Sequence, residues 1–475
     1  MTSLDVAVLV AYLAGTTAWG AWLGRGARGG EDYFLGGRDL PWGAVLLSVV
    51  ATETSTLTVL SIPGIAYGGS LAFLQIALGY VLGRTVVAIW LLPAYREGRL
   101  KTAYELLESR FGGGTRRLTS GVFMVTRLLA DSVRLFATAI PLALVTGWSL
   151  AASVLAIGAA TFVYTYAGGI KAVVWVDAAQ MTLYLAGGLI ALFVLGGLVP
   201  GGWGAILESA GAAGKLEVVD LSLELGRPYT LWAGLVGGAF LSMGSHGTDQ
   251  LIVQRLLACR DLRASRRALV GSGFAVLAQF ALFLVVGLGL WAHFGGAAFE
   301  RSDEIFARFI VESLPTGVRG LLIAGVFAAA MSTLSSSINS LASATAYDFW
   351  AASRPGADER DLLRAGRAST IVWAGLLVGA AIAFIPLSRD SAAVEVSLGI
   401  ASLVYGGLLG AFALARFDPA ADGRAARIGL VAGIGTVTVV WAIARAAVGW
   451  PWFVLLGTIV TLAAGALAAR LPGAR

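Results

Sequence analysis

Apolar stretches of 18 residues or more recur along the whole chain, separated by short polar turns. Each is long enough to cross a hydrocarbon core of about 30 Å. Thirteen are read, near 4–24, 40–66, 70–95, 118–146, 150–168, 173–200, 229–254, 268–293, 317–346, 368–387, 392–415, 426–447 and 450–470. The pattern predicts an all-α polytopic membrane protein with about 13 transmembrane helices. Two stretches are interrupted in mid-span. LPWGAVLLSVVATETSTLTVLSIPGIAY (40–67) carries ATETST at its centre, and TLWAGLVGGAFLSMGSHGTDQLIVQRLL (230–257) carries Ser-Met-Gly-Ser-His-Gly at 242–247. Polar breaks at membrane depth are tolerated where backbone lines a cavity or is buried in protein. The two breaks lie five helices apart, as expected if helices two to six and seven to eleven form inverted repeats. A matched pair of this kind points to a binding site at the membrane midplane.

Composition agrees. Of 475 residues, 57% are hydrophobic and 13% charged, too few charges to cover a soluble surface. The first stretch is longer than a signal-peptide core and lacks a basic leader, so it reads as a retained helix. A net charge of +6 would suggest nucleic acid in a soluble domain. Here the positive residues gather in alternate loops: Arg25, Arg28 and Arg38; Arg96 to Arg117; Arg255, Arg260, Arg263, Arg266 and Arg267; and finally Arg470 and Arg475. The positive-inside rule then sets the N-terminus outside and the C-terminus inside, with a bilayer and not nucleic acid as the partner. The segment 96–117 reads either as a helix along the inner surface or as an ordinary charged loop.

The densest polar feature lies in LLIAGVFAAAMSTLSSSINSLASATAYDFW (321–350), which holds eight Ser and Thr residues from Ser332 onward. Ala329, Ser332, Thr333 and Ser336 fall at i, i+3, i+4 and i+7, on one helix face. Small residues also serve close helix packing, but a cluster of Ser332, Thr333, Ser335, Ser336 and Ser337 exceeds that need. Two hydroxyls and a carbonyl from this helix could meet carbonyls freed at 51–55, an uncharged oxygen set that suits Na⁺.

Asp177 lies within an apolar span, where a carboxylate is costly and usually functional; the alternative is an interfacial structural acid. Arg127, Asp131 and Arg134 share one face at i, i+4 and i+7. An acid between two Arg leaves one guanidinium for a carboxylate solute, or closes an internal ion-pair network. Glu53, in the first break, is a candidate to bind a solute amine or hydroxyl, to pair with Arg134, or to carry a proton. Thr52, Ser55 and Thr56 flank it; Ser242, Ser245 and His246 occupy the second break. Gln75 is a candidate reader of solute hydroxyls.

These residues resemble the sodium:solute symporter family over essentially the whole chain. The likeness rests on RDLPWGAVLLSVVATETST (38–56), GGIKAVVWVDAAQ (168–180), GTDQLIVQRLLACRD (247–261) and AAAMSTLSSSINSLASATAYD (328–348). It implies a LeuT-type 5+5 inverted repeat, with an extra helix in 1–39, repeats in 40–200 and 229–415, and two further helices in 416–475, all one domain. It further implies a main sodium site from the carbonyls of Ala51, Thr54 and Ala329 with the hydroxyls of Ser332 and Thr333. A second sodium would use Asp177, Ser335 and Ser336.

The expected function is sodium-coupled import of a small polar solute (a carboxylate, a sugar or an amino-acid-like molecule) by a monomer in the inner membrane. A uniporter or channel, or a sensory membrane protein, is the alternative. An enzyme is not expected, because two His and one Cys leave no metal cluster or nucleophile–base pair.

Overall fold

The structure is a computed structural model and describes residues 2–302, 304–354, 356–386 and 392–471. Arg475 lies outside them, as does the side chain of Thr56. The described residues are helical, joined by short loops. In chain order the principal helices are α1 (Ser3–Leu23), α2 (Trp42–Glu53), α3 (Thr56–Gly68), α4 (Leu74–Glu97), α5 (Gly113–Thr146), α6 (Leu150–Leu198) and α7 (Gly238–Gly247). They continue with α8 (Gln250–Leu257), α9 (Leu262–His293), α10 (Val318–Ala344), α11 (Glu359–Ala383), α12 (Ala392–Phe417), α13 (Gly423–Ala444) and α14 (Phe453–Arg470).

Among the described residues, eight helices are long and apolar enough to cross a membrane, and nine if the bent pair α2–α3 is one span. The bend there is 65°. Thr54 turns out of the helix at φ −81°, ψ 96°, and Ser55 restarts it as an N-cap, its hydroxyl accepting from the Thr58 amide. The last carbonyls of α2 therefore have no following helical turn to bond them.

Helix α6 has 49 residues. At 1.5 Å per residue that is roughly 74 Å, far beyond one crossing. Gly169 breaks it with φ 53°, ψ −150°. A Cβ at this position would sit 2.3 Å from the Tyr33 carbonyl oxygen, so both the backbone angle and the close approach require glycine.

The second broken helix differs from its sequence reading. The Ser242–Gly247 stretch is helical, and the interruption falls just after it, at Thr248 and Asp249. Gly244 serves close packing instead: a Cβ there would lie 2.9 Å from the Cβ of Tyr405. The break is set by Asp249, whose side chain caps α8 by accepting from the Leu251 amide at 2.9 Å. A further irregular turn, π-helical, precedes α7 at Ala233–Gly237.

Helix α10 lies at the centre. Its membrane window is 94% buried, against 28–50% for α4, α9, α11, α13 and α14. Its N-terminus is held by Asp5 of α1, whose carboxylate accepts from the Gly317 and Gly320 amides at 2.8 and 3.1 Å, where an acid also favours the helix dipole. Between α4 and α5, segment 96–117 forms one short helix, Glu105–Phe111, with Leu107 and Phe111 buried, and its last residues begin α5.

Candidate functional site

The stripe on α10 meets the break after α2. Ser332 Oγ donates to the Ala51 carbonyl at 3.0 Å and to its own-turn Ala329 carbonyl at 3.1 Å; Thr333 Oγ1 donates to the same Ala329 oxygen at 3.1 Å. Ala51, Thr54, Ala329 and Ser332 line a small void together with Gln180, Met181 and Tyr184. Its volume is ≈ 10 Å³, about one water-sized sphere. Thr54 is steadied through its hydroxyl by Gln279, whose amide nitrogen donates to it at 2.9 Å. The void is walled by neutral oxygens, a donor set suited to a hard monovalent cation. Thr333 lines the adjoining recess, with Ser55, Asp131, Arg134, Leu135, Thr138, Ala330 and Leu334.

Asp177 is fully buried, and its partners are already in place. Ser48 Oγ donates to Oδ2 at 2.7 Å, the Arg255 guanidinium to the same oxygen at 3.2 Å, and Ser335 to Oδ1 at 3.5 Å. Arg255 also donates to Ser48 at 2.9 Å, to the Leu251 carbonyl at 2.6 Å and, closely, to Ser336. Counted above as a loop charge, Arg255 is instead fully buried in α8. Its guanidinium occupies the space between Asp177 and Ser336. Thr52 faces this cluster too, 3.0 Å from Ser336 Oγ, and not an open recess.

In the second recess Arg134 is the most exposed charge, with 23% of its side chain accessible. Its Nη1 lies 3.1 Å from Asp131 Oδ1, and its Nε is buried without a partner. Asp131 is also 3.6 Å from Arg127 and accepts from Ser337 of α10. Arg127 in turn pairs with Asp249 at the second break and with Tyr405.

Four expected solute contacts are committed elsewhere. Glu53 pairs closely with Arg84 of α4 and not with Arg134; Arg84 also donates to Ser272 at 2.6 Å. His246 Nε2 lies 3.5 Å from the same Glu53 oxygen, while Nδ1 is 2.8 Å from Ser245 Oγ. Gln75 is consumed by backbone: its Nε2 donates to the Ala72 and Tyr229 carbonyls, and its Oε1 accepts from the Asp220 amide. Ser242 donates to the Tyr80 carbonyl at 3.2 Å, so it joins α7 to α4.

Comparison with known proteins fits this geometry. The model of the sodium:solute symporter family matches residues 33–414. The chain belongs to that family. Among its relatives, the sodium-coupled monocarboxylate transporter 2 of Mus musculus is 29% identical over 412 residues, covering 85% of this chain. The chain spans 66% of that relative's length. The sodium/sialic acid symporter NanT of Aliivibrio fischeri is 28% identical, over 99% of this chain and 93% of its own. A solved structure, a substrate-bound outward-open Na⁺-coupled sialic acid symporter, superposes with TM-score 0.87 at 25% identity, covering 98% of each chain. Structural neighbours of this family member are LeuT-fold-like transporters.

Several residues around these sites were given no site role from the sequence, although Asp249 and Arg255 fall within the GTDQLIVQRLLACRD segment that carries the likeness. Arg84 carried a signal, as a charge within an apolar span, whereas Arg255, just past the stretch 229–254, read as a loop charge. Asp249 carried another, as an acid at a helix start. Gln180 carried little: a neutral amide three residues after Asp177 looks ordinary. In the structure its side chain lines the void beside Ala51 and Ser332, close to the Tyr12 hydroxyl, and neither amide atom makes a well-formed hydrogen bond.

Proposed function

We propose that this chain is a sodium-coupled symporter that imports a small carboxylate by alternating access. Sodium binds among the carbonyls of Ala51, Thr54 and Ala329 and the hydroxyls of Ser332 and Thr333, with Gln180 on the wall. The solute carboxylate binds in the recess of Ser55, Arg134 and Thr138. One observation carries the reading: Thr333 reaches the Ala329 carbonyl of the ion void and also lines the recess that holds Arg134. The two sites thus share a residue, and occupancy of one shapes the other. Sodium's unequal affinity for the two end states then drives the cycle.

Carboxylate is favoured over sugar or amine for two reasons. Arg134 is a partly exposed guanidinium with an unused Nε. Glu53, the rival group, is already held by Arg84. The names of the relatives run the same way, since monocarboxylates and sialic acid are both anions. A second sodium at Asp177, Ser335 and Ser336 requires the Arg255 guanidinium to withdraw, which makes that site the weaker one. The chain crosses the inner membrane thirteen times, N-terminus out and C-terminus in, as a monomer built from the repeats 40–200 and 229–415.

Proteoliposomes with an inward sodium gradient test this reading. Labelled lactate, pyruvate and other small carboxylates should accumulate above their external concentration, and Arg134→Gln should raise the half-saturating carboxylate at least tenfold, given charge-assisted bonds of about 1.5–3 kcal/mol. Equal uptake in potassium, or accumulation of sugars alone, would overturn it.

A further inference from the structure

One oxygen of Asp131 serves two guanidiniums. Arg134 Nη1 lies 3.1 Å from Oδ1, and Arg127 Nη1 lies 3.6 Å from the same atom. Oδ2 is taken by the Ser337 hydroxyl of α10. At its other end Arg127 donates to Asp249 Oδ2, which also accepts from Tyr405 Oη at 2.8 Å. Asp249 Oδ1 caps α8. Side chains of Arg127, Asp131 and Asp249 are 6%, 1% and 1% exposed, so within this row Arg134 is the accessible charge, with Asp131 on the recess wall behind it. Two acids and two Arg are in balance, and removal of any one charge must redistribute the others.

We propose that Asp131 is a positioning residue that relays solute binding to the second broken helix. The relay rests on the carboxylate reading of Arg134 given above. A solute carboxylate on Arg134 draws that guanidinium off Oδ1. Asp131, no longer shared, attracts Arg127 fully; the 3.6 Å separation closes to an ordinary charged hydrogen bond with a movement under about 1 Å. Arg127 then loosens its hold on Asp249, which keeps only Tyr405 and the Leu251 amide. The break at Thr248–Asp249 is freed from α5, and α8 is able to move. The solute acts only through its different interaction with the two arrangements, as any population shift requires.

The chain carries its own reporter. Cys259, the single cysteine, follows α8 directly and is fully buried. Burial also pushes its thiol up to about 11, so it reacts slowly with a maleimide until the inner end of α8 opens. Arg134→Gln imitates the discharged Arg134 without any solute. In full-length protein in nanodiscs, Arg134→Gln should label at Cys259 at least about fivefold faster than wild type, the lower end of coupling between sites. Arg134→Lys, which keeps the charge, should label as wild type. Adding Asp131→Asn to Arg134→Gln should restore the slow rate, because Arg127 then has no second acid to join. The relay is overturned if Arg134→Gln labels at the wild-type rate, or if Asp131→Asn fails to reverse a fast rate, the mark of general loosening. Sodium-driven lactate and pyruvate uptake by the wild type is measured alongside. Uptake with unaltered labelling sinks the relay alone, and sodium-independent uptake sinks the symporter reading.

Discussion

Replacing Arg255 with Ala tests how Asp177 is kept charged inside the protein. The guanidinium contributes hydrogen bonds to Asp177, Ser48, the Leu251 carbonyl and Ser336. Both partners of the ion pair are fully buried. Breaking such a pair from one side costs about 3–5 kcal/mol, because the remaining charge is left unpaired. Against a typical total of about 5–15 kcal/mol, that is a large fraction. The vacated space is bounded by Asp177, Ser335 and Ser336, and sodium is the cation at hand to fill it. Sodium at a hundredfold above its dissociation constant returns about 2.7 kcal/mol. Melting followed by tryptophan fluorescence, with 14 Trp as reporters, should therefore show Arg255→Ala strongly destabilised in potassium and substantially recovered in sodium. Its sodium-induced shift should exceed that of wild type. The double variant Asp177→Asn/Arg255→Ala, with no charge left to balance, should lose less stability and gain no extra response to sodium. A melt of Arg255→Ala that matches wild type in potassium refutes the assignment, as does a sodium response no larger than that of wild type.

Other substitutions probe separate features. Ser332→Ala removes an oxygen that bridges the Ala51 and Ala329 carbonyls, and should raise half-saturating sodium at least tenfold in uptake assays, from about 1.5–3 kcal/mol per charge-assisted bond. The corresponding change at Ser340, which bonds only to its own helix, should leave sodium dependence as it is. Gln180→Leu should raise the melting temperature in sodium-free buffer, by relieving an unsatisfied amide worth about 1–3 kcal/mol, while shrinking the stabilisation that sodium confers. Gly169→Ala places a Cβ 2.3 Å from the Tyr33 oxygen in a left-handed conformation, and should sharply reduce the yield of monodisperse protein on size-exclusion chromatography.

Most long apolar helices were legible in the sequence because bilayer thickness imposes a minimum length on apolar stretches, although among the described residues eight, or nine with the bent pair, qualify as spans where thirteen were read. The hydroxyl stripe on α10 was equally legible, since helical spacing alone places Ser332, Thr333 and Ser336 on one side. What escaped was pairing. Glu53 had several candidate partners in the sequence, and only the packing of α2 on α4 selects Arg84. Arg255 looked like a cytoplasmic loop charge because it stands near Arg260 and Arg263, yet the second half of the broken helix, α8, extends far enough to bury it. Glycines misled for a related reason. Gly244 and Gly247 suggested a break at 242–247, whereas Gly244 is there to admit Tyr405, and the break follows the cap at Asp249. Gln75 and Gln180 are alike on paper; backbone carbonyls claim one, and the other is left facing a void.

The burial of α10 bears on how the chain is made. A segment with so many hydroxyls enters the bilayer at a cost unless its polar face is met at once. Among the described residues, its side chains bond outside the helix to Ala51, Thr52, Asp131, Asp177, Gln250, Gln254 and Arg255. All of them precede it in the chain. When the ribosome delivers α10, the groups that will satisfy it have already been synthesised, and the helices after it add mainly apolar cover. Order along the gene thus spares the most polar helix a period alone in lipid, and moving this segment earlier by circular permutation would remove that protection.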